Sequence, residues 1–177
     1  DKNNMKVKTF LPYASSTGNT TDQLYDLGVL EDQLYLFYRS GLLICYNLKS
    51  HQEIYRQKLP DELPKGKYEN TSYVVPGNNT FYQLRNGSQG GVMLNYDITR
   101  KKWNIVFQTD YRLNSLSIDK DNSIWISCYM GLWNIDAGLI NKQYIPNLKL
   151  VDGRTINTEV STLYNDNQGG MWLGTLD

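Results

Sequence analysis

The sequence predicts an all-β chain: a partial β-propeller of about four four-stranded antiparallel blades, the last blade incomplete. Three observations lead there. An aromatic residue recurs at Tyr35, Tyr82, Trp125 and Trp172, at spacings of 47, 43 and 47 residues, and a period near ~45 with short strands lies in the range of propeller blades. A polar turn rich in Asp, Asn and Gly precedes each aromatic, and these residues tolerate positive φ or cap their own backbone in hairpins. No window longer than about ten residues keeps apolar residues at the i, i+3, i+4, i+7 spacing of an amphipathic helix.

Taken in chain order, Met5-Lys6-Val7-Lys8-Thr9-Phe10, within 1–12, reads as an outer strand, either of a preceding blade or closing a ring against the last unit. The first unit, about 22–60, opens with a strand from Leu24 to Val29. Thr21-Asp22 could cap a helix over 18–30, but Leu24, Leu27 and Leu30 fit the blade register, and the segment is read as strand. The turn Glu31-Asp32 leads to the Tyr35 strand, Gly41 to Tyr46 form the third strand, and Glu53 to Lys58 a more polar fourth. The second unit, about 68–108, repeats this with Tyr73 to Val75, the turn Pro76-Gly77-Asn78-Asn79, the Tyr82 strand, Gly91 to Tyr96 and Trp103 to Gln108. The third, about 111–146, has Leu113 to Ile118, Asp119-Lys120-Asp121-Asn122, the Trp125 strand, Gly131 to Ile135 and Lys142 to Ile145. The fourth, 158–177, has Val160 to Tyr164, Asp166-Asn167-Gln168-Gly169 and the Trp172 strand only. Four rings at one blade position are expected to pack between neighbouring blades. Asp119 and Asp166, each six residues before its Trp, are expected to form turns. A propeller fragment leaves blade edges and faces open, so self-association is expected.

Composition narrows the chemistry. Eighteen Lys+Arg balance eighteen Asp+Glu, so no net field steers the chain to nucleic acid or anionic lipid. No apolar run approaches the roughly 18 residues of a membrane span, and no membrane segment is expected in this chain. His51 is the sole histidine, and Cys45 and Cys128 the sole cysteines, which removes most histidine catalysis and any zinc site of several Cys and His. Both cysteines sit in strand-like stretches and read as buried free thiols. Fourteen Tyr and four Trp against four Phe suit short strands and sugar- or protein-contacting surfaces. There is no phosphate-cradling Gly loop and no nucleophile elbow; Ser88 among glycines at Gly87 to Gly91 has no histidine to serve it. Asp119-Lys120-Asp121-Asn122-Ser123 half matches a calcium loop but lacks its glycine and distant glutamate. No metal, no cofactor and no catalytic residue are therefore expected. Sequons at Asn19, Asn70, Asn78 and Asn86 are close to chance in an Asn-rich chain.

The run Asn114-Ser115-Leu116-Ser117-Ile118-Asp119-Lys120-Asp121-Asn122-Ser123-Ile124-Trp125-Ile126-Ser127, followed by Gly131-Leu132, resembles the two-component-regulator propeller repeat, and so does Val160 to Thr175. That repeat has an apolar strand, an Asp, a Gly-containing turn, a Trp-centred strand ending in Gly-Thr, then Gly-Leu. Units 22–50 and 68–103 follow it more loosely, with Tyr in place of Trp and Pro76 in place of the Asp. The resemblance implies a periplasmic sensor region of a Bacteroides-type hybrid two-component system. In such receptors a membrane helix and the histidine kinase lie elsewhere in the chain, and many detect glycan-derived oligosaccharides. It also implies that this chain is non-catalytic and that the remaining blades of a parent propeller are its partners. Two other readings remain: a propeller enzyme similar to the streptogramin lyases, which need channel histidines and a metal, and a pure protein-interaction scaffold.

In a propeller, the loops from each outer strand to the next inner strand share one rim with the second-to-third-strand turns. The first class covers 66–72, 109–114 and 153–159; the second covers 37–41, 84–91 and 127–131. They carry Tyr38, Arg39, Arg85, Asn86, Arg112, Asn114, Tyr129, Met130, Asn157 and Glu159. Arg forks and Asn amides grip sugar hydroxyls or carboxylates, and Tyr faces stack on pyranose rings. The ligand-binding candidates are Arg39, Arg85, Tyr38, Arg112, Asn114, Tyr129 and Asn157. Arg39 and Arg85 stand first because each is alone at its turn. Gly87 to Gly91 is read as lengthening the turn of the second unit.

Overall fold

The computed structural model describes residues 22–60, 62–63, 70–77, 79–129, 131–150, 152–156, 159–166 and 168–175, with the backbone alone for 70–77. The expected strand at Met5 to Phe10 lies outside the described residues. Every regular element among the described residues is a β-strand. The chain divides into two compact units, Asp1–Leu59 and Pro60–Asp177.

In the first unit β1 (Leu24–Leu30), β2 (Gln33–Tyr38), β3 (Leu43–Asn47) and β4 (Glu53–Gln57) form one antiparallel sheet in chain order. The strand reading of 18–30 therefore holds for 24–30. Left-handed residues close its outer hairpins, Glu31 at φ 52° and His51 at φ 58°. The Asn47 carboxamide oxygen accepts the N–H groups of Lys49 and Ser50, an Asx turn that satisfies backbone donors without a strand partner. β2 and β3 are buried on both faces: Leu36, Ile44 and Tyr46 cluster on one side, while Tyr35, Phe37, Leu43 and Cys45 are buried on the other. A strand covered on both sides reads as a continuous apolar run, which is how these two appear in the sequence.

In the second unit β5 (Asn70–Gly77), β6 (Thr80–Gly87), β7 (Gly90–Asp97) and β8 (Lys102–Thr109) form one four-stranded sheet. A second contains β9 (Leu113–Ile118), β10 (Ile124–Cys128), β11 (Gly131–Ile135) and β12 (Lys142–Ile145). β13 (Leu148–Lys149) and β14 (Thr155–Ile156) make a small hairpin, and β15 (Val160–Asn165) pairs with β16 (Met171–Thr175). Two expectations need correction. Gly87 to Gly91 does not lengthen a turn: Gly87 pairs with Gly90, and the strands themselves run on to a two-residue hairpin. The stretch before β15 is not wholly loop, because Gly153 at φ 85° lets the chain fold back as β13–β14.

Each first strand carries a register shift three residues before the residue that faces the recurrent aromatic. The shifts leave Tyr25, Ser72, Asn114 and Ser161 as the extra residue. A bulge bends and twists its strand locally. The turns repeat as well. Asn122 N–H donates to Asp119 C=O in one blade and Gly169 N–H to Asp166 C=O in the next, with Asn122 at φ 64° and Gly169 at φ 89°. Asp119 and Asp166 are thus turn residues.

The blades of this unit stack face to face. Leu84 and Met93 of one sheet meet Leu113, Leu116, Ile124 and Ile126 of the next, with Tyr82 against them. On the far face of that second sheet, Trp125 and Leu132 meet Val160 and Leu163 of β15. Polar links run alongside: the Ser115 and Ser117 hydroxyls accept the N–H groups of Leu163 and Asn165, both at 3.1 Å. Tyr82 and Trp125 therefore pack toward the following blade, and Tyr35 is buried in its own unit. Trp172 lies on the last described strand. Its ring is 66% exposed on the uncovered face of β15–β16, and its Nε1–H donates to Asp166 Oδ2 at 2.9 Å.

The Asp166 carboxyl lies below its ordinary value of 3.8, first because of the Trp172 indole and then the Gly170 N–H; Asp121 is lowered by Ser123. A carboxyl lowered on folding contributes stability that is complete above pH 3.8 and is lost as pH falls through the folded-state value. Melting temperature is expected to drop on acidification below that point, and Asp166→Asn to flatten the drop. An unchanged acid slope in Asp166→Asn would show that the turn carboxylate contributes nothing.

Candidate functional site

The rim formed by the β8–β9 loop and the β10–β11 turn gathers polar and aromatic side chains. Leu113 and Cys128 are the terminal pair of β9 and β10, so Arg112 and Tyr129 both project beyond one strand end. Arg112 is exposed and Tyr129 is 59% exposed. Beside them Tyr111 stacks on Tyr144, ring centroids 5.7 Å apart at 13°. Tyr144 leans on Trp133 at 5.1 Å, and Trp133 on Phe107 at 5.3 Å. A row of four rings thus runs from β8 across the outer strands of the next sheet to the rim. The Tyr144 phenol is held above its ordinary value, first by burial and then by the Cys128 thiol and the Tyr111 phenol.

Buried hydrogen bonds fix this loop. Asn86 Nδ2 donates to Leu113 C=O at 2.7 Å, and Leu113 N–H donates to Asn86 Oδ1 at 2.9 Å. The β6–β7 hairpin comes so close that a Cβ on Gly90 would lie 2.1 Å from the Thr109 carbonyl oxygen, and one on Gly91 2.7 Å from Asn86 Oδ1. Glycine at both positions is what lets the hairpin seat the loop carrying Tyr111 and Arg112.

The candidate residues are not brought together as one set. Arg112 and Tyr129 share the rim. Arg39 is exposed at the β2–β3 turn of the first unit. Tyr38 is 3% exposed within its sheet's core. Arg85 is 2% exposed, inside β6 rather than on a turn, because the strand outruns the expected loop. Asn114 is the bulged residue of β9; its Nδ2 donates to Glu159 Oε1 at 2.6 Å and to Val160 C=O at 3.1 Å, tying two blades together. Asn157 and Met130 lie outside the described residues. The sequence reading missed Tyr111 and Tyr144. Tyr111 was findable as the aromatic directly before Arg112 in a rim loop; Tyr144 gave no signal, since only tertiary packing brings an outer strand to it.

On the opposite rim of the β5–β8 sheet lies a polar cleft of about 450 Å³, lined by Asn79, Thr80, Tyr82, Asn95, Asp97 and Arg100 among others. Burial holds the Tyr82 phenol above its ordinary value. Among the described residues, no three His, Cys, Asp or Glu side chains converge as metal ligands. Cys45 and Cys128 are both buried free thiols. Asn86, a sequon residue, is buried.

The family model described as two-component regulator propeller matches residues 156–177. No curated protein sequence matches the chain. Among solved structures, it is similar to the extracellular domain of a candidate hybrid two-component system from B. thetaiotaomicron, with 16% identity and TM-score 0.58 over 86% of this chain and 19% of that one. It is similar too to the extracellular domain of a candidate one-component system from the same organism, with 14% identity and TM-score 0.56 over 96% of this chain and 27% of that one. A β-propeller domain from Myceliophteria thermophila aligns with 10% identity and TM-score 0.55 over 89% of this chain and 50% of that one. The chain therefore spans about a fifth to a half of the length of these structures, and at such identities the likeness concerns the fold. With antiparallel four-stranded sheets in both units, and those of the second stacked face to face, the chain has the fold of a partial β-propeller, and its residues 156–177 match the two-component regulator propeller model.

Proposed function

We propose that this chain is a non-catalytic sensor segment of a hybrid two-component receptor, placed in the periplasm, that engages a glycan-derived ligand at the Tyr111–Arg112–Tyr129 rim and transmits occupancy through receptor dimerisation. The regulator-propeller repeat at 156–177 is the observation that carries this reading. The fold shared with extracellular domains of two bacterial sensory systems supports it. The rim chemistry agrees: an exposed guanidinium offers forked donors to hydroxyls or a carboxylate, and exposed Tyr faces offer stacking surfaces to a sugar ring. A ligand bound there biases a receptor only by favouring one arrangement of two chains over another. The kinase belongs to parts of the receptor beyond this segment.

The test is a thermal-shift screen against oligosaccharides. Saturating ligand at about a hundred times Kd is expected to stabilise the chain by about 2.7 kcal/mol. Arg112→Ala and Tyr129→Ala should each weaken binding by about tenfold, the effect of losing about 1.4 kcal/mol. If no saccharide shifts the melt, or if product appears on incubation, the sensor reading of this rim fails.

A further inference from the structure

The face of the β5–β8 sheet that packs on the β9–β12 sheet changes character along its strands. In β6 and β7, Leu84 pairs with Met93, Tyr82 with Asn95 and Thr80 with Asp97, and directly opposed residues share one face. Leu84 and Met93 are buried in the inter-blade core, with Tyr82 against them. Beyond them the face turns polar: Thr80, Tyr82, Asn95 and Asp97 line the cleft of about 450 Å³, with Thr99 and Arg100 from the β7–β8 turn at its edge. That volume lies within the ~300–1,000 Å³ of ligand pockets. Several of these groups have work in the fold. The Thr80 hydroxyl donates to the Tyr96 C=O at 2.8 Å. Asp97 accepts the Arg100 N–H at 2.9 Å, as Asn47 accepts that of Ser50 and Asp136 that of Ile140 in the other blades. Asn95 has no such task. It faces Tyr82 where Cys45 faces Tyr35 and Asn134 faces Trp125, and its carboxamide oxygen is enclosed without a hydrogen bond. An enclosed, unmatched acceptor opposes folding, and a carboxamide not held at its oxygen can turn over to present that oxygen to the cleft.

We infer that this cleft binds a sugar acid, a hydroxylated ring bearing one carboxylate. A ring hydroxyl donates to the Asn95 oxygen and another accepts from the Tyr82 phenol, which burial keeps protonated well past neutral pH. The carboxylate meets Arg100 at the mouth. That guanidinium touches Asp97 Oδ2 through one nitrogen at 3.4 Å and its side chain is 82% exposed, which leaves most of its fork uncommitted among the described residues. A guanidinium fork matches a carboxylate with two parallel hydrogen bonds. Lys102, exposed and paired with Asp97 across β7 and β8, adds positive charge on the same side. The inference concerns the rim opposite Tyr111, Arg112 and Tyr129 and stands whether or not that rim binds a ligand.

Ligand-observed NMR titration of the whole chain with D-glucuronate tests it, beside D-glucose, which lacks the carboxylate, and acetate, which lacks the ring. Glucuronate is expected to bind about tenfold more tightly than either, the effect of one charge-assisted contact or of the ring's hydrogen bonds. Arg100→Gln, at an exposed side chain, should bring glucuronate down by about tenfold, to the level of glucose. Asn95→Leu, close in volume, should weaken glucuronate and glucose alike by about tenfold while the melting temperature stays or rises, because it removes an unmatched acceptor and no structural bond. Lys149→Gln, which removes an exposed cation elsewhere, should bind as wild type. Absence of glucuronate binding, glucose or acetate bound as tightly as glucuronate, or a fall in melting temperature in Asn95→Leu would each overturn the assignment. Glucuronate binding that neither Asn95→Leu nor Arg100→Gln weakens would place the site elsewhere and overturn it too, without touching the reading of the Arg112 rim.

Discussion

Replacing Asn86 by leucine is expected to destabilise the second unit by about 3 kcal/mol, because two buried backbone groups lose their partner at once. The carboxamide accepts the Leu113 N–H and donates to the Leu113 carbonyl from a side chain 3% exposed. It closes a two-bond clasp between β6 of one blade and the first residue of the next. Leucine fills similar volume, so the loss measures the hydrogen bonds rather than a cavity. All four tryptophans, at 103, 125, 133 and 172, belong to the Pro60–Asp177 unit. Denaturant titration followed by indole emission therefore reads this unit alone. Asn114→Ala is the comparison: it also removes an inter-blade amide, but a half-buried one whose Glu159 partner can turn to water, so about 1 kcal/mol is expected. Equal losses at the two positions, or a loss at Asn86 below about 1 kcal/mol, would contradict the clasp.

How much of this was legible follows from the kind of signal each feature leaves. The strands were readable because hairpin chemistry is local. Asn79, Asn122 and Gly169 occupy the left-handed positions before three of the four aromatics, and these residue types accept that conformation at little strain. In the first blade the left-handed residue is Glu31, four residues before Tyr35 rather than three, and a type without an obvious tolerance for that conformation. The β13–β14 hairpin escaped because two-residue strands have no periodicity to detect. The candidate site was read less well, for a physical reason. Propeller reasoning says which turns share a rim but not how far strands extend past the core. Arg85 and Tyr38 look like turn residues by spacing, yet their strands run one or more residues further and carry them into the interior. Asn114 was placed on the correct loop, but its amide is consumed by the next blade.

Gly90→Ala is expected to cost about 4 kcal/mol, combining ~1–2 kcal/mol of left-handed backbone strain with ~2–3 kcal/mol of overpacking. Gly90 sits at φ 104°, and a Cβ there would lie 2.1 Å from the Thr109 carbonyl oxygen and 2.7 Å from Asp110 backbone atoms. Backbone cannot rotate away as a flexible side chain would. Gly153 separates the two contributions. It has φ 85°, but a Cβ would meet nothing within 4 Å, so Gly153→Ala should lose only the strain part, about 1 kcal/mol. The difference between the two variants, read by denaturant titration, isolates the steric clash; equal losses would mean that the hairpin yields freely. The displaced backbone in Gly90→Ala is Thr109–Asp110, which leads directly into Tyr111 and Arg112. At temperatures where the variant is still folded, any ligand that binds the rim should therefore bind it more weakly, whereas Gly153→Ala should bind as wild type. Loss of stability without loss of binding in Gly90→Ala would show that the hairpin supports the fold but does not set the rim.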